Sequence, residues 1–129
     1  MAAKAPVQNI SEALAQKNQR AVYVYQVPSN LGGEEFKSVG LVQLTAHEEM
    51  MAAKRSNGDP IKLAYEQVMQ AIVEVNGERV SIANGTADRA FNTMGPMLRN
   101  LVMTAHAKLH APPEGDVELF LGSREVRLG

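Results

Sequence analysis

His106 and His110 stand four residues apart on the longest helical pattern of the chain. That spacing puts two imidazoles on one side of a helix, one turn apart, as a pair of metal ligands requires. The residues between them are Ala107, Lys108 and Leu109. They supply no Glu of the metalloprotease kind, and Lys108 repels a cation. The preferred reading is two boundary histidines near a helix C-terminus, where positive charge is favoured. His47 lies inside a helix-capping sequence and is expected to face solvent, so it does not complete a three-histidine site.

The remaining reactive side chains are no better arranged. General acid–base work needs two carboxylates that converge across a cleft, whereas neighbours such as Glu34-Glu35 and Glu48-Glu49 diverge. None of Ser11, Ser29, Ser38, Ser56, Ser81 and Ser123 has the Gly-x-Ser-x-Gly context of a nucleophile elbow. Gly32-Gly33 precedes acids, and Gly85 and Gly95 are isolated, so no phosphate-cradling loop is read. The chain has no cysteine, which removes disulfides, Cys-ligated metals and a thiol nucleophile. No catalytic, cofactor-binding or metal-binding residue is assigned, no cofactor is expected, and the chain is read as a non-enzyme.

Binding is the better-supported chemistry. Six internal methionines, Met50, Met51, Met69, Met94, Met97 and Met103, accompany only three Phe, three Tyr and no Trp. Met adapts to irregular partners and is over-used on promiscuous surfaces. Met97 and Met103 fall outside the Leu98-Leu101-Val102-Ala105-Leu109 stripe, so the apolar zone of their helix is wider than one core face. Either a partner covers the extra width or the helix is buried all round.

The elements that must position these residues are marked by their caps and turns. The segment from Phe36 to Ile82 reads as strand, helix, helix, hairpin. Phe36, Ser38, Gly40, Val42 and Leu44 share one face of an extended run, and Thr45-Ala46-His47-Glu48 is a capping box. The helix it opens, to Ser56, is expected to turn Met50, Ala53 and Ala46 inward and Glu48, Glu49, Lys54 and Arg55 to solvent, and to close at Gly58. Asp59 caps a second helix with Pro60 in its first turn and Ile61, Ala64, Tyr65, Val68 and Ile72 as its core stripe. Asn76-Gly77, between Ile72–Val75 and Glu78–Ile82, is a strong signal for a two-residue hairpin.

Around that unit, 1–8 reads as a flexible arm and 9–129 as one α+β domain, opened by a short helix from Asn9 or Ser11 to Lys17. Ala21–Val27 is the clearest strand, and the loop Pro28–Gly33 joins it to the next as an antiparallel hairpin. Thr86 is expected to cap a short helix through Phe91, broken by Gly95-Pro96. Met97–His110 forms the spine, stopped by Pro112-Pro113. Beyond Pro113 a helix to Gly122 with an extended end is preferred over a strand pair. The expected architecture is small antiparallel hairpins packed with about four helices.

Whole-chain numbers limit the partners. There are 13 basic and 14 acidic residues among 129, a net charge of −1, without a positive stripe of the kind nucleic acid requires. No segment approaches the roughly 18 apolar residues of a membrane span, and no signal-peptide run opens the chain, so a soluble intracellular protein is expected.

The run Val42-Gln43-Leu44-Thr45-Ala46-His47-Glu48-Glu49, then Gly58-Asp59, Leu63-Ala64-Tyr65-Glu66 and Ile72-Val73-Glu74-Val75-Asn76-Gly77, resembles the small tail-assembly proteins of tailed bacteriophages. These are the tail assembly chaperone and baseplate-associated type. Gly95-Pro96-Met97-Leu98-Arg99 and Ala105–Pro112 continue the pattern, and the likeness spans roughly Lys37 to Leu121. It implies no catalytic residue. It implies binding to other tail proteins, a tape measure, hub or baseplate protein, in the host cytoplasm during assembly. A transient chaperone would use Met94, Met97, Leu101 and Met103 as adaptable contacts. A permanent part of the virion tail or baseplate would use the Val22–Leu44 hairpin, with Tyr23 and Tyr25, and its terminal arms, in a homo-oligomer or against other tail proteins.

Overall fold

The computed structural model describes residues 20–128. The expected arm at 1–8 and the helix ending at Lys17 lie outside the described residues. Four strands, β1 (Tyr23–Gln26), β2 (Ser38–Leu41), β3 (Ile72–Val75) and β4 (Glu78–Arg79), form one antiparallel sheet in the order β1-β2-β3-β4. Helices α1 (Ala46–Ser56), α2 (Pro60–Ala71), α3 (Thr86–Thr93), α4 (Pro96–His110) and α5 (Glu114–Gly122) complete an α+β fold. The loop after Pro28 contains a single helical turn, Ser29–Gly32.

The signals of the central unit act as their chemistry dictates. Thr45 Oγ1 accepts from the Glu48 amide at 3.2 Å, and Glu48 Oε1 accepts from the Thr45 amide at 2.9 Å, closing the capping box. Asp59 Oδ1 accepts from the amides of Ile61 and Lys62. Asn76 (φ 55°) and Gly77 (φ 81°) are both left-handed, the pairing that a type I′ hairpin needs. Asn76 also reaches beyond its own turn. Its Oδ1 accepts from the amides of Lys37 and Ser38 and its Nδ2 donates to the Glu35 carbonyl, which ties the hairpin to the entry of β2.

Packing decides which faces turn inward. On β2 Val39 and Leu41 face the helices, on the same side as their partners Tyr25 and Tyr23. Gly40 is buried on the other face, where a Cβ would lie 2.8 Å from Glu74 Cβ and 2.9 Å from Val22 Cγ1. The neighbouring strands cross over it, so a side chain there has no room. One extra residue, Val73, bulges β3 between the Gly40–Glu74 and Leu41–Ile72 pairs and keeps Ile72 in the core.

On α1 the residues expected inside, Met50, Ala53 and Ala46, are exposed, and Ala52 and Ser56 are buried. Ala52 and Ser56, one turn apart, set the inward face of α1, and Met50, about 200° around the helix from Ala52, falls on the opposite face. Glu48, expected in solvent, is half-buried against Arg20, whose Nη2 donates to Oε2 at 3.0 Å. Burial works to raise the Glu48 pKa, but the Arg20 and Thr45 hydrogen bonds outweigh it and hold the carboxyl below its usual range. On α2, Val68 and Ile72 are buried as expected, joined by Met69, whereas Ile61 projects beyond the core. Thr86 opens α3 without capping it, because its hydroxyl accepts from the Ser81 amide instead.

The core runs from Val39, Leu41 and Ile72 of the sheet to Val68, Met69, Phe91, Met94, Leu98 and Val102 of the helical layer. That layer leaves the outer strand uncovered.

Candidate functional site

Among the described residues β1 is an edge of the sheet, and all four of its residues are exposed. Tyr23 and Tyr25 point to the same side as Leu41 and Val39, toward the helices, yet α4 does not extend across them. The uncovered step between β1 and α4 is a groove of about 390 Å³. Its floor is the edge of the core, with Val39, Leu41, Leu98 and Val102, and its walls are Tyr25 and Val27 on one side and Leu101 and Ala105 on the other. Lys108 stands at one end and forms none of the ion pairs among the described residues. An apolar cleft beside an open strand edge suits a protein segment.

The residues expected to meet partners divide around this groove. Leu101 lines it and is 43% exposed, and Met97, one turn earlier on α4, is 67% exposed. Tyr25 lines it from the strand side, and Tyr23 is exposed next along β1. Of the two methionines outside the expected stripe only Met97 lies on the surface, and the helix is not buried all round. Met103 is half-buried and packs on the core. Met94 is a correction. At 2% exposure it is sealed between α3 and α4, because Gly95-Pro96 ends one helix and starts the next just beyond it and turns its side chain inward.

The histidine pair has a different role from ligation. His110 Nδ1 donates to the His106 carbonyl at 2.8 Å, and Nε2 accepts from the Leu44 amide at 2.8 Å. Both nitrogens are committed, so His110 joins the end of α4 to the strand that leads into α1. The His106 ring stacks on it at 4.1 Å, and its Nδ1 is buried without a partner.

Comparison of the chain with family models, with curated proteins and with solved structures finds no match. No described helix is long and apolar enough to cross a membrane.

Burial, followed by the adjacent His110 charge, pushes the His106 pKa down from 6.5 to about 4. The folded state thus disfavours the proton that the unfolded chain binds near 6.5. The sign is fixed by that order: stability is complete above about pH 6.5 and falls as pH drops toward 4. The ring is partly solvated, and screening holds the loss to about 1 kcal/mol. His106→Leu is expected to remove that part of the decline, seen as a smaller change in urea midpoint between about pH 7 and about pH 5. Identical pH dependence in the two proteins would place the effect elsewhere.

The second surface feature lies beyond Pro113. Helix α5 has no buried residue, and Leu119, Phe120 and Leu121 are 75%, 77% and 65% exposed. The preferred helix to Gly122 is present, and residues 124–128 form neither helix nor strand. Val27, Ala105 and Lys108 are read by sequence in other roles, and nothing in the sequence marks them as lining one groove. For α5 the available signal is the Val117, Phe120, Leu121 spacing after Pro112-Pro113.

Proposed function

We propose that this chain is a non-enzymatic bacteriophage tail-morphogenesis protein that holds an apolar segment of another tail protein, a tape measure or baseplate hub, during assembly. The observation that carries the reading is the apolar groove between the open edge of β1 and the Leu101 face of α4. The likeness of Val42–Glu49 and Ile72–Gly77 to small tail-assembly proteins supplies the partner class. Adaptable Met97 beside the groove suits an irregular apolar partner.

A second reading, a permanent component of the tail or baseplate, is favoured by the exposed segment Glu114–Leu128, since extended arms make fixed joints between subunits. Protein quantification in purified mature particles separates the two. A stoichiometric amount excludes the transient chaperone, and absence excludes the permanent part. Binding itself is tested by co-expression with the tape-measure and hub proteins of the same phage. Leu101→Glu is expected to reduce capture by roughly tenfold or more, as for a central contact. Equal capture by the variant, or none by the wild type, overturns the groove as the binding site.

A further inference from the structure

We propose that the groove between β1 and α4 receives helix α5 of a second copy of this chain, so that copies join head to tail. Val117, Phe120 and Leu121 occupy positions i, i+3 and i+4 and form one apolar stripe on α5. That is the anchor spacing of a helix laid into a groove, and no other described part of the chain covers the stripe.

Charge selects the occupant. Helix α5 carries Glu114, Asp116 and Glu118 and no basic residue, whereas the groove is lined by one charged side chain, Lys108, and by no acidic one. On the α5 wheel the acids flank the apolar stripe on both sides, where they meet the Lys108 end of a groove. None of these three acids forms an ion pair among the described residues.

The connector directs the helix to another copy. Ala111 (φ −84°, ψ 132°) and Pro113 (φ −58°, ψ 144°) are extended, and each proline restricts the residue before it to extended backbone. Ala111-Pro112-Pro113 therefore acts as a stiff spacer and does not return α5 across its own α4. One copy supplies the helix and the next the groove, a heterologous contact that continues into a ring or filament. A tail partner reaching the same groove would compete with it. The inference is independent of the tail-assembly reading, because its test uses the pure protein alone.

Sedimentation of the full chain from about 5 to about 500 µM covers the micromolar affinity that three anchors give. The mass is expected to rise above the 14.0 kDa monomer with concentration. Leu101→Glu, with a spoiled groove, and Phe120→Glu, with a spoiled arm, should each remain monomeric. Both positions are exposed, so each variant should keep the wild-type circular dichroism and Tm. Mixed one to one, they should form a dimer and nothing larger, since one intact arm meets one intact groove. Excess peptide of residues 112–128 should dissociate the wild-type assembly even if a variant misfolds. A monomeric wild type, variants that still assemble, a mixture that stays monomeric, or an assembly indifferent to the peptide each overturns the proposal.

Discussion

Phe91→Ala is expected to destabilise the protein by about 3–5 kcal/mol, the range for truncating a fully buried aromatic ring. Phe91 is 0% exposed and lies where α3 meets the sheet and α2. Its ring meets Tyr65 of α2 edge-on, with centroids 5.6 Å apart and planes at 73°. Truncation removes this pair and leaves a void that neighbours on three elements cannot close together. The chain has few large aromatic residues to share the work. A domain of this size has only about 5–15 kcal/mol of stability, so roughly a fifth or more would be lost. The urea midpoint should fall with an unchanged m-value, and Tm should drop by roughly 10–20 °C. Phe91→Leu, which keeps most of the volume, should be far milder. An alanine variant within about 1 kcal/mol of wild type would mean that this ring is not the centre of the core.

Phe91 also shows where sequence reading stops. Its helix was legible, and so were α2, α4 and α5, because caps, prolines and the 3.6 period are local signals. The Asn76-Gly77 hairpin was legible for the same reason, since two left-handed residues in a row admit few sequences. The inward faces were harder. Met50 reads as a core residue by hydrophobicity, but the inward face of α1 runs through Ala52 and Ser56, on the opposite side of the helix from it. On β2 the alternation is legible but not which face meets the helices, because Gly40 is small for a reason that sits on Val22 and Glu74. Of the partner residues, Leu101 and Tyr25 meet at the groove, whereas the surface role of Met94 was decided by the α3–α4 corner. A groove is a gap between distant elements, and Val27 and Lys108 carry no local mark of lying on its two sides.

The same limit hid a charged contact whose disruption should be the second large effect. Arg55 of α1 donates from Nε to Glu66 Oε2 of α2 at 2.6 Å and from Nη2 to Asp88 Oδ2 of α3 at 2.8 Å. One guanidinium thus joins three helices. Glu66 has a side chain only 7% exposed, whereas Arg55 is 40% exposed. Arg55→Met keeps much of the apolar stem but leaves Glu66 without its counter-ion. Orphaning a buried charge costs about 3–5 kcal/mol when no water reaches it. Solvent beside Arg55 reduces the expected loss to about 2–3 kcal/mol. The diagnostic comparison is with Arg55→Met/Glu66→Met. Removing both charges removes the desolvation penalty together with the attraction, so the double variant should recover at least half of the single variant's loss. Glu66→Met alone should be the milder single change, since it leaves Arg55 near water and still paired with Asp88. A double-mutant cycle by urea denaturation should therefore show coupling above about 1 kcal/mol. Additive effects of the two substitutions would mean that Arg55 acts through its stem and not its charge. Strong coupling would identify this ion pair as the joint that holds α1, whose own core contacts are only Ala52 and Ser56, against the other helices.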